Sequence, residues 1–265
     1  MDGFRVIRAP RGHWYADPFL LEFSGRRFLF FEDYILAKRR GRISYCELFE
    51  DGTVGEVQVG LELETHLSYP SVFVHDGTVH LIPESYESGQ VALYRARSFP
   101  GPFELERVLI DVPGIDPTLL EHENRLWLLL TLEDANPLPD GKADSHEFLT
   151  AAFDTFDEIA AWQTGESARL SRTLHAYWSD SLEGDWHEHP ENPLVRGLAS
   201  SRPGGAILRV EAELIRPAQD CRRRYGETVV FTQIESLTPS EFRERPVARF
   251  EADWMPGNRG THTYA

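Results

Sequence analysis

Acidic residues recur at two positions of a repeated pattern in this sequence. Asp17 and Asp116 each stand directly before a proline. Glu32 and Glu84 each stand fourteen residues beyond such a proline. Hydrolysis of a glycosidic bond needs one carboxyl group that stays protonated and one that is ionised. These acids could perform that chemistry if the fold brings them together. The alternatives are that an aspartate before proline only caps a turn, and that Glu84 is a solvated residue at a strand end.

Residues near these acids have side chains suited to binding a sugar. Trp14 and Tyr15 lie beside Asp17 and could stack on a sugar face. Tyr69 and Arg202 precede prolines at the places where the other repeats have aspartate, so we predict that they face the same site. The alternative is that they are polar strand residues satisfied by backbone groups.

A basic stretch in the last repeat could bind an anionic group of a ligand. Its candidate binding residues are Arg216, Asp220 and Arg224, because a guanidinium fork can grip a carboxylate or a phosphate. A loop held by internal salt bridges is the alternative, since the chain has 43 acidic residues.

Each acid belongs to a unit whose pattern predicts a β-hairpin. The units are ADPFLLEFSGRRFLFFEDY from Ala16, YPSVFVHDGTVHLIPESY from Tyr69, DPTLLEHENRLWLLLT from Asp116 and RPGGAILRVEAELIRPAQD from Arg202. In each unit a proline precedes an apolar stretch, a polar turn and a second apolar stretch. A proline costs little at the start of a strand, so we predict that these prolines begin strands: Pro18, Pro70, Pro117 and Pro203.

Further strand-like segments such as GRISYCELF and QVALYRARSF follow the hairpins. Units of several strands that begin near residues 14, 66, 113 and 201 predict an all-β fold, a five-bladed β-propeller that residues 1–265 form as a single domain. The last blade would open at GTHTYA or be closed by GFRVIRAP. Residues 133–172 predict an inserted loop with a short helix. A β-sandwich would explain the number of strands but not a period of about fifty residues.

Composition excludes several classes of protein. The formal charge of -16 argues against a nucleic-acid partner, which needs a basic surface. The two cysteines and the scattered histidines have no metal-ligand spacing, so no metal site is predicted. No apolar run is long enough to span a membrane and no signal peptide is recognisable, so we expect a cytoplasmic protein.

Several of these segments carry a family resemblance. HWYADPFLLEFSGRRFLFFEDY, LSYPSVFVHDGTVHLIPES, GIDPTLLEHENRLWLLLT, YWSDSLEGDWHEHPENPLV and RPAQDCRRRYG resemble the N-terminal domain of plant glucosamine inositolphosphorylceramide transferase and its bacterial relatives. That domain is similar to the five-bladed propellers of glycoside hydrolase families 43, 62, 32 and 68.

The resemblance implies roles for individual residues. Asp17 would be the base or nucleophile, and Asp116 would orient the substrate or tune the acid. The sequence has no match to the usual Glu-containing motif of these hydrolases, so Glu84 is our candidate for the general acid, with Glu32 behind it. No cofactor is predicted, although the resemblance leaves open a structural calcium near His262.

Two functions follow as expectations. The first is a carbohydrate-active enzyme that cleaves a glycosidic bond, furanosidic bonds included, with the carboxyl pair. The second is a non-catalytic propeller that binds a glycan or a glycolipid head group for a separate transferase domain or protein. A protein-binding scaffold is a third, because propellers serve many functions.

Overall fold

The structure is a computed structural model that describes residues 6–133, 172–222, 226–254 and 260–265. These residues form four antiparallel sheets. The first sheet contains β1 (His13–Phe23), β2 (Arg26–Ile35), β3 (Arg40–Leu48) and β4 (Gln58–Leu61) in that order. The second contains β5 (Ser68–His75), β6 (Thr78–Glu84), β7 (Val91–Ala96) and β8 (Phe103–Ile110).

The other two sheets have extra short strands. The third contains β9 (Ile115–His122), β10 (Arg125–Glu133) and β11 (Arg172–Ser179), and both β12 (His187–Glu188) and β13 (Val195–Arg196) pair with β11. In the fourth, β14 (Arg202–Pro203) and β15 (Leu208–Val210) pair with β16 (Glu213–Asp220), which is followed by β17 (Thr228–Thr238) and β18 (Glu241–Phe250). In the part of the chain that the structure describes, short 3-10 helices span Tyr86–Ser88 and Ala252–Trp254.

Neighbouring sheets share hydrophobic cores, which explains why the units fold together. Strand β10 contributes to two of these cores from its two faces. Leu128 belongs to the same core as Leu93 of the second sheet, whereas the adjacent Trp127 belongs to the same core as Ile234 of the fourth. Each large apolar side chain buried in this way stabilises the fold by about 1.5–3 kcal/mol. A single sheet could not bury both of its faces, so the repeat specifies a ring of sheets.

The first strands of the four sheets lie around a common centre. Strand β1 contacts β5, β5 contacts β9, and β9 contacts β14. The remaining gap, between β14 and β1, is filled by residues 260–265, which we call the closing segment. Tyr264 forms a parallel bridge to Gly205, where an added Cβ would lie 2.0 Å from the Tyr264 carbonyl oxygen. Glycine is therefore needed at this point of close approach.

The prediction of an all-β propeller is confirmed, but the number of blades is wrong. The described residues form four sheets rather than five. The sequence GTHTYA does not open a fifth sheet, because Tyr264 pairs with the start of the fourth. The closing segment thus lies where the repeat pattern predicted a fifth blade. The predicted insertion with a short helix lies almost entirely in 134–171, outside the described residues.

The prediction that the prolines begin strands is also wrong. Pro18, Pro70 and Pro117 lie inside β1, β5 and β9, next to a β-bulge in each case, and Pro203 ends the short β14. Bulges interrupt the ladder of hydrogen bonds, so they tolerate a residue that has no N–H.

Within the described ranges, no helix is long and apolar enough to cross a membrane.

Candidate functional site

The bulges rotate three repeat residues out of the normal strand alternation. Asp17, Tyr69 and Asp116 have φ angles of 48°, 43° and 51°, although each precedes a proline. Positive φ is rare for residues with side chains and typically costs about 1–3 kcal/mol, so it persists only where the surrounding structure imposes it. All three side chains are buried. The repeat therefore maintains a strained backbone to place these side chains near the centre of the ring.

The residues opposite the bulges also occupy equivalent places. In the first three sheets, Ala16 pairs with Glu32, Ser68 with Glu84 and Ile115 with Thr131. The fourteen-residue spacing of the sequence thus corresponds to one register in three sheets. In the fourth sheet the partner of Arg202 is Gln219. Residues at the bulges and residues on the strands opposite them together form what we call the axial site. It consists of Asp17, Glu32, Glu84, Asp116, Arg202 and Gln219.

Asp116 is the most completely paired acid of the axial site. One of its carboxylate oxygens accepts hydrogen bonds from the Arg202 Nε and, at 2.8 Å, from the Gln219 Nε2. The other accepts from the Arg202 Nη2 at 3.3 Å. The side chain is 1% exposed. A carboxylate held by a guanidinium fork and an amide is fixed in orientation, which suits a group that positions others.

Asp17 is paired with the closing segment. Its Oδ1 accepts a hydrogen bond of 2.7 Å from the Thr263 hydroxyl and lies 2.9 Å from the His262 Nε2. Burial alone would raise the pKa of Asp17, but the hydrogen bonds from His262 and Thr263 and the positive charge of Arg202 bring it below its usual value. Asp17 is therefore an ionised carboxylate near neutral pH.

The pKa values of Glu84 and Glu32 are shifted in the direction opposite to that of Asp17. Burial and the neighbouring Asp116 carboxylate raise the pKa of Glu84 well above its usual value, although its Oε2 accepts a 2.9 Å hydrogen bond from the Asp116 N–H. Burial and the charges of Asp17, Glu84 and Asp116 raise the pKa of Glu32 in the same way. The axial site thus combines an aspartate of lowered pKa with glutamic acids of raised pKa, which is the separation of pKa values that an acid–base pair needs.

The predicted stacking residues lie on different faces of the first hairpin. Trp14 stacks on Tyr34 with ring centroids 4.8 Å apart, and Tyr34 in turn contacts His66, whose Nε2 is 3.7 Å from the Glu32 Oε1. Trp14 is thus linked to the axial site through two rings. Tyr15 packs against Phe31 at 4.4 Å, on the face opposite to Trp14.

Tyr69 braces two other sheets. Its ring is fully buried, and its hydroxyl lies 2.8 Å from the Thr118 Oγ1. The same hydroxyl accepts a hydrogen bond from the Gly205 N–H at 2.8 Å. These contacts give Tyr69 a structural role at the centre of the ring rather than an open face for a sugar.

Among the described residues of the basic stretch, Arg216 and Asp220 pair with side chains outside the axial site. Arg216 is 1% exposed and forms an ion pair with Glu244 on β18. Asp220 accepts hydrogen bonds from Arg222 and Arg249, and these outweigh the effect of burial and lower its pKa to about 2. With Glu227 and Thr228, these three residues line a separate cavity of about 220 Å³. Arg224 lies outside the described residues.

The resemblance left open a structural calcium near His262. The Nε2 of His262 faces the Asp17 carboxylate directly. In the described ranges, no three His, Cys, Asp or Glu side chains are grouped so that they could hold a metal ion. A structural calcium near His262 stays a prediction of the resemblance.

Sequence reasoning undervalued several residues that complete the axial site. Gln219 was recognisable only as a neighbour of the basic stretch, because the residue fourteen positions beyond Pro203 is Pro217. Thr263 has no sequence signal, since its role depends on where the closing segment lies. His66 precedes the second repeat without any pattern that links it to Glu32.

The fold resembles that of solved glycoside hydrolases. A family 117 glycoside hydrolase from the marine bacterium Zobellia galactanivorans has a TM-score of 0.59 at 11% identity, covering 89% of this chain and 70% of that one. An exo-β-1,3-galactanase from Phanerochaete chrysosporium has a TM-score of 0.55 at 11% identity, covering 89% and 49%. An α-L-arabinanase from Cellvibrio cellulosa has a TM-score of 0.55 at 11% identity, covering 87% and 77%. This chain is therefore a β-propeller with the fold of these hydrolases.

Within that class, the chain belongs to the family of the N-terminal domain of Glucosamine inositolphosphorylceramide transferase 1, whose model matches residues 8–138 and 150–259. The Oryza sativa subsp. japonica protein of that name is 32% identical over 235 residues, which are 88% of this chain and 28% of the relative. The Arabidopsis thaliana protein is 32% identical over 232 residues, covering 86% and 26%. The chain thus spans about a quarter of the length of these relatives, and the predicted resemblance is confirmed.

Proposed function

We propose that this propeller is a carbohydrate-active enzyme that hydrolyses a glycosidic bond in the axial site. The observation that carries this proposal is that the pKa values of buried carboxyl groups around one centre are shifted in opposite directions. Asp17 is held ionised by His262 and Thr263, whereas the pKa of Glu84 is raised well above its usual value. Glycoside hydrolysis requires such a pair.

Each carboxyl group then has one role. Asp17 activates water or attacks the sugar, and Glu84 donates a proton to the leaving oxygen. Asp116 keeps Glu84 in place, because its backbone N–H donates to the Glu84 Oε2. Arg202 holds Asp116 and lies 3.9 Å from Glu84, so it orders both acids. Glu32 is the alternative proton donor.

The test is hydrolysis of a broad panel of aryl glycosides and oligosaccharides by the parent and by Asp17→Asn and Glu84→Gln variants. General acid–base catalysis contributes about 100- to 10,000-fold, so each variant should lose at least about 100-fold. Asp76→Asn is the matched control, because Asp76 has a φ of 47° like Asp17 but a side chain that is 95% exposed. Equal hydrolysis by the parent and both variants would refute the assignment.

A second candidate is a glycan-binding propeller without catalytic activity. The extensive internal pairing of Asp116 favours it, since a carboxylate fixed by Arg202 and Gln219 can serve as a rigid recognition group. The names of the relatives refer to a glucosamine inositolphosphorylceramide transferase, so a sugar or glycolipid head group handled by a transferase is the corresponding ligand.

A glycan array separates the two candidates. The binding function predicts retention of glycans without turnover, and binding that weakens in Trp14→Ala and Arg202→Met variants. Turnover that depends on Asp17 and Glu84 would instead support the hydrolase. Failure of the parent protein to bind or cleave any glycan of either panel would count against both.

A further inference from the structure

Gln219 has a buried acceptor for which the described protein supplies no donor. The residue is 1% exposed, and its Oε1 has no hydrogen-bond partner among the described residues. Buried polar atoms are normally hydrogen-bonded, and leaving one unpaired is costly, so the exceptions call for an explanation. The Nε2 of the same amide lies 2.8 Å from the Asp116 carboxylate, which places this acceptor in the axial site.

The orientation of the Gln219 amide is fixed by two contacts. Its Nε2 donates to an Asp116 carboxylate oxygen and to the Pro203 carbonyl oxygen, both at 2.8 Å. The reversed amide would place Oε1 against these two oxygens, and neither of them can donate to it. The Oε1 is therefore the end of the amide that remains for a further donor.

The donors around Asp116 are committed to other acceptors. The Arg202 Nε and Nη2 both donate to the Asp116 carboxylate. The Thr118 hydroxyl donates to the Asp116 carbonyl at 3.2 Å, and the Thr131 hydroxyl donates to the Ser201 carbonyl at 2.9 Å. Since the described residues supply no donor to the buried amide oxygen, a bound ligand is the group that would bring one.

We propose that Gln219 is a specificity-determining residue of the axial site, and that its Oε1 accepts a hydrogen bond from one hydroxyl group of the bound sugar. This inference rests on the proposed function and adds the requirement for that hydroxyl. A site built to hydrogen-bond a substrate hydroxyl rejects an analogue without it, because a buried polar group is then left unpaired. Asp116 and Pro203 already hold the amide in place, so binding does not have to order it.

The experiment measures the binding of methyl glycosides to the whole chain by isothermal titration calorimetry. The probes are the methyl glycosides of glucose, galactose, xylose and arabinose. For the sugar that binds most tightly, each hydroxyl is replaced in turn by hydrogen and by fluorine. At one ring position both replacements should weaken binding to the parent by at least about tenfold, because neither can donate to the Gln219 Oε1.

Variants of Gln219 identify the acceptor. Gln219→Met has no side-chain oxygen, so it should lose the preference for the hydroxyl at that one position and keep the parent's preferences at the others. Gln219→Glu keeps an acceptor oxygen and should retain the preference. Gln90→Met is the matched control, because the Gln90 Nε2 also donates to an aspartate, Asp111, at 2.7 Å, but in an exposed pair. It should bind every probe as the parent does.

Three results would overturn the inference. The first is an equal loss of affinity for every probe in Gln219→Met, which is the effect of a purely structural role. The second is weaker binding on replacement by hydrogen but not by fluorine, since the hydroxyl would then act as an acceptor. The third is a parent that binds or cleaves sugars without preferring a hydroxyl at any position, which would leave the proposed function standing. The second and third need only the parent, so they decide the matter even if Gln219→Met does not fold. A parent that neither binds nor cleaves any sugar would overturn the proposed function as well.

Discussion

The Nε2 of His262 lies 2.9 Å from the Oδ1 of Asp17, so a residue of the closing segment meets the first strand of the first sheet. The Thr263 hydroxyl donates to the same oxygen at 2.7 Å. The neighbouring Tyr264 N–H donates to the Gly204 carbonyl at 2.8 Å. One segment therefore joins the fourth sheet to the first and also sets the ionisation of a central acid.

Replacement of His262 by alanine should raise the pKa of Asp17. Burial by itself favours the protonated acid, and the variant removes the hydrogen bond that most opposes this effect. The carboxyl chemical shift of Asp17, followed by carbon NMR as a function of pH, measures the change. His122→Ala, at the end of β9, is the control and should leave the titration of Asp17 unchanged. An unaltered Asp17 titration in His262→Ala would contradict the role given to this contact.

Removal of the Arg202 guanidinium should destabilise the fold strongly. An Arg202→Met variant leaves the buried Asp116 carboxylate without its main partner, and breaking a buried pair in this way typically costs about 3–5 kcal/mol. The free energy of unfolding from urea titration gives the value. Arg26→Met is the comparison, because Arg26 pairs with Glu47 at the surface and its loss should have little effect. Similar losses of unfolding free energy in both variants would mean that the buried pair of Arg202 and Asp116 stabilises the fold no more than a surface pair does.

An alanine at Gly41 should perturb the surroundings of Glu32. The added Cβ would lie 2.4 Å from the Leu67 carbonyl oxygen and 2.7 Å from the Glu32 Oε1, so the backbone or the acid must move. Such overpacking typically costs about 1–3 kcal/mol, which urea unfolding would detect. Gly55→Ala is the matched control, because its new Cβ would come no closer than 3.4 Å to any neighbour. Equal stability of Gly41→Ala and the parent would show that the close packing is unimportant.

The sequence was sufficient for much of this architecture. The spacing of acids and prolines predicted the hairpins, and the pattern of Glu32 and Glu84 matches one register in two sheets. The number of blades was not predictable, because GTHTYA has the composition of a strand whether it opens a sheet or closes a ring. The bulges were missed because Pro18 is compatible with either a strand start or an interrupted ladder, and only the register distinguishes these.

The axial site was predicted less completely than the fold. Asp17, Glu84 and Asp116 could be singled out because they recur beside or beyond the prolines. Their partners could not, since the contact of Asp17 with His262 joins opposite ends of the chain. Pairing between residues far apart in sequence depends on the order of the sheets around the centre, which no local pattern encodes.

Glu32→Gln should make the folded protein less sensitive to pH and more stable near neutral pH. The pKa of Glu32 is raised in the folded state, so its favourable contribution is fully present below the unfolded pKa and is lost as pH rises through the folded pKa. A glutamine cannot ionise, and the variant therefore escapes that loss. Melting temperatures across the acidic to neutral range would reveal the difference, with Glu22→Gln as the control that follows the parent. A lower melting temperature for Glu32→Gln near neutral pH would indicate that the buried acid stabilises the fold, whereas a higher one is expected of a group retained for binding.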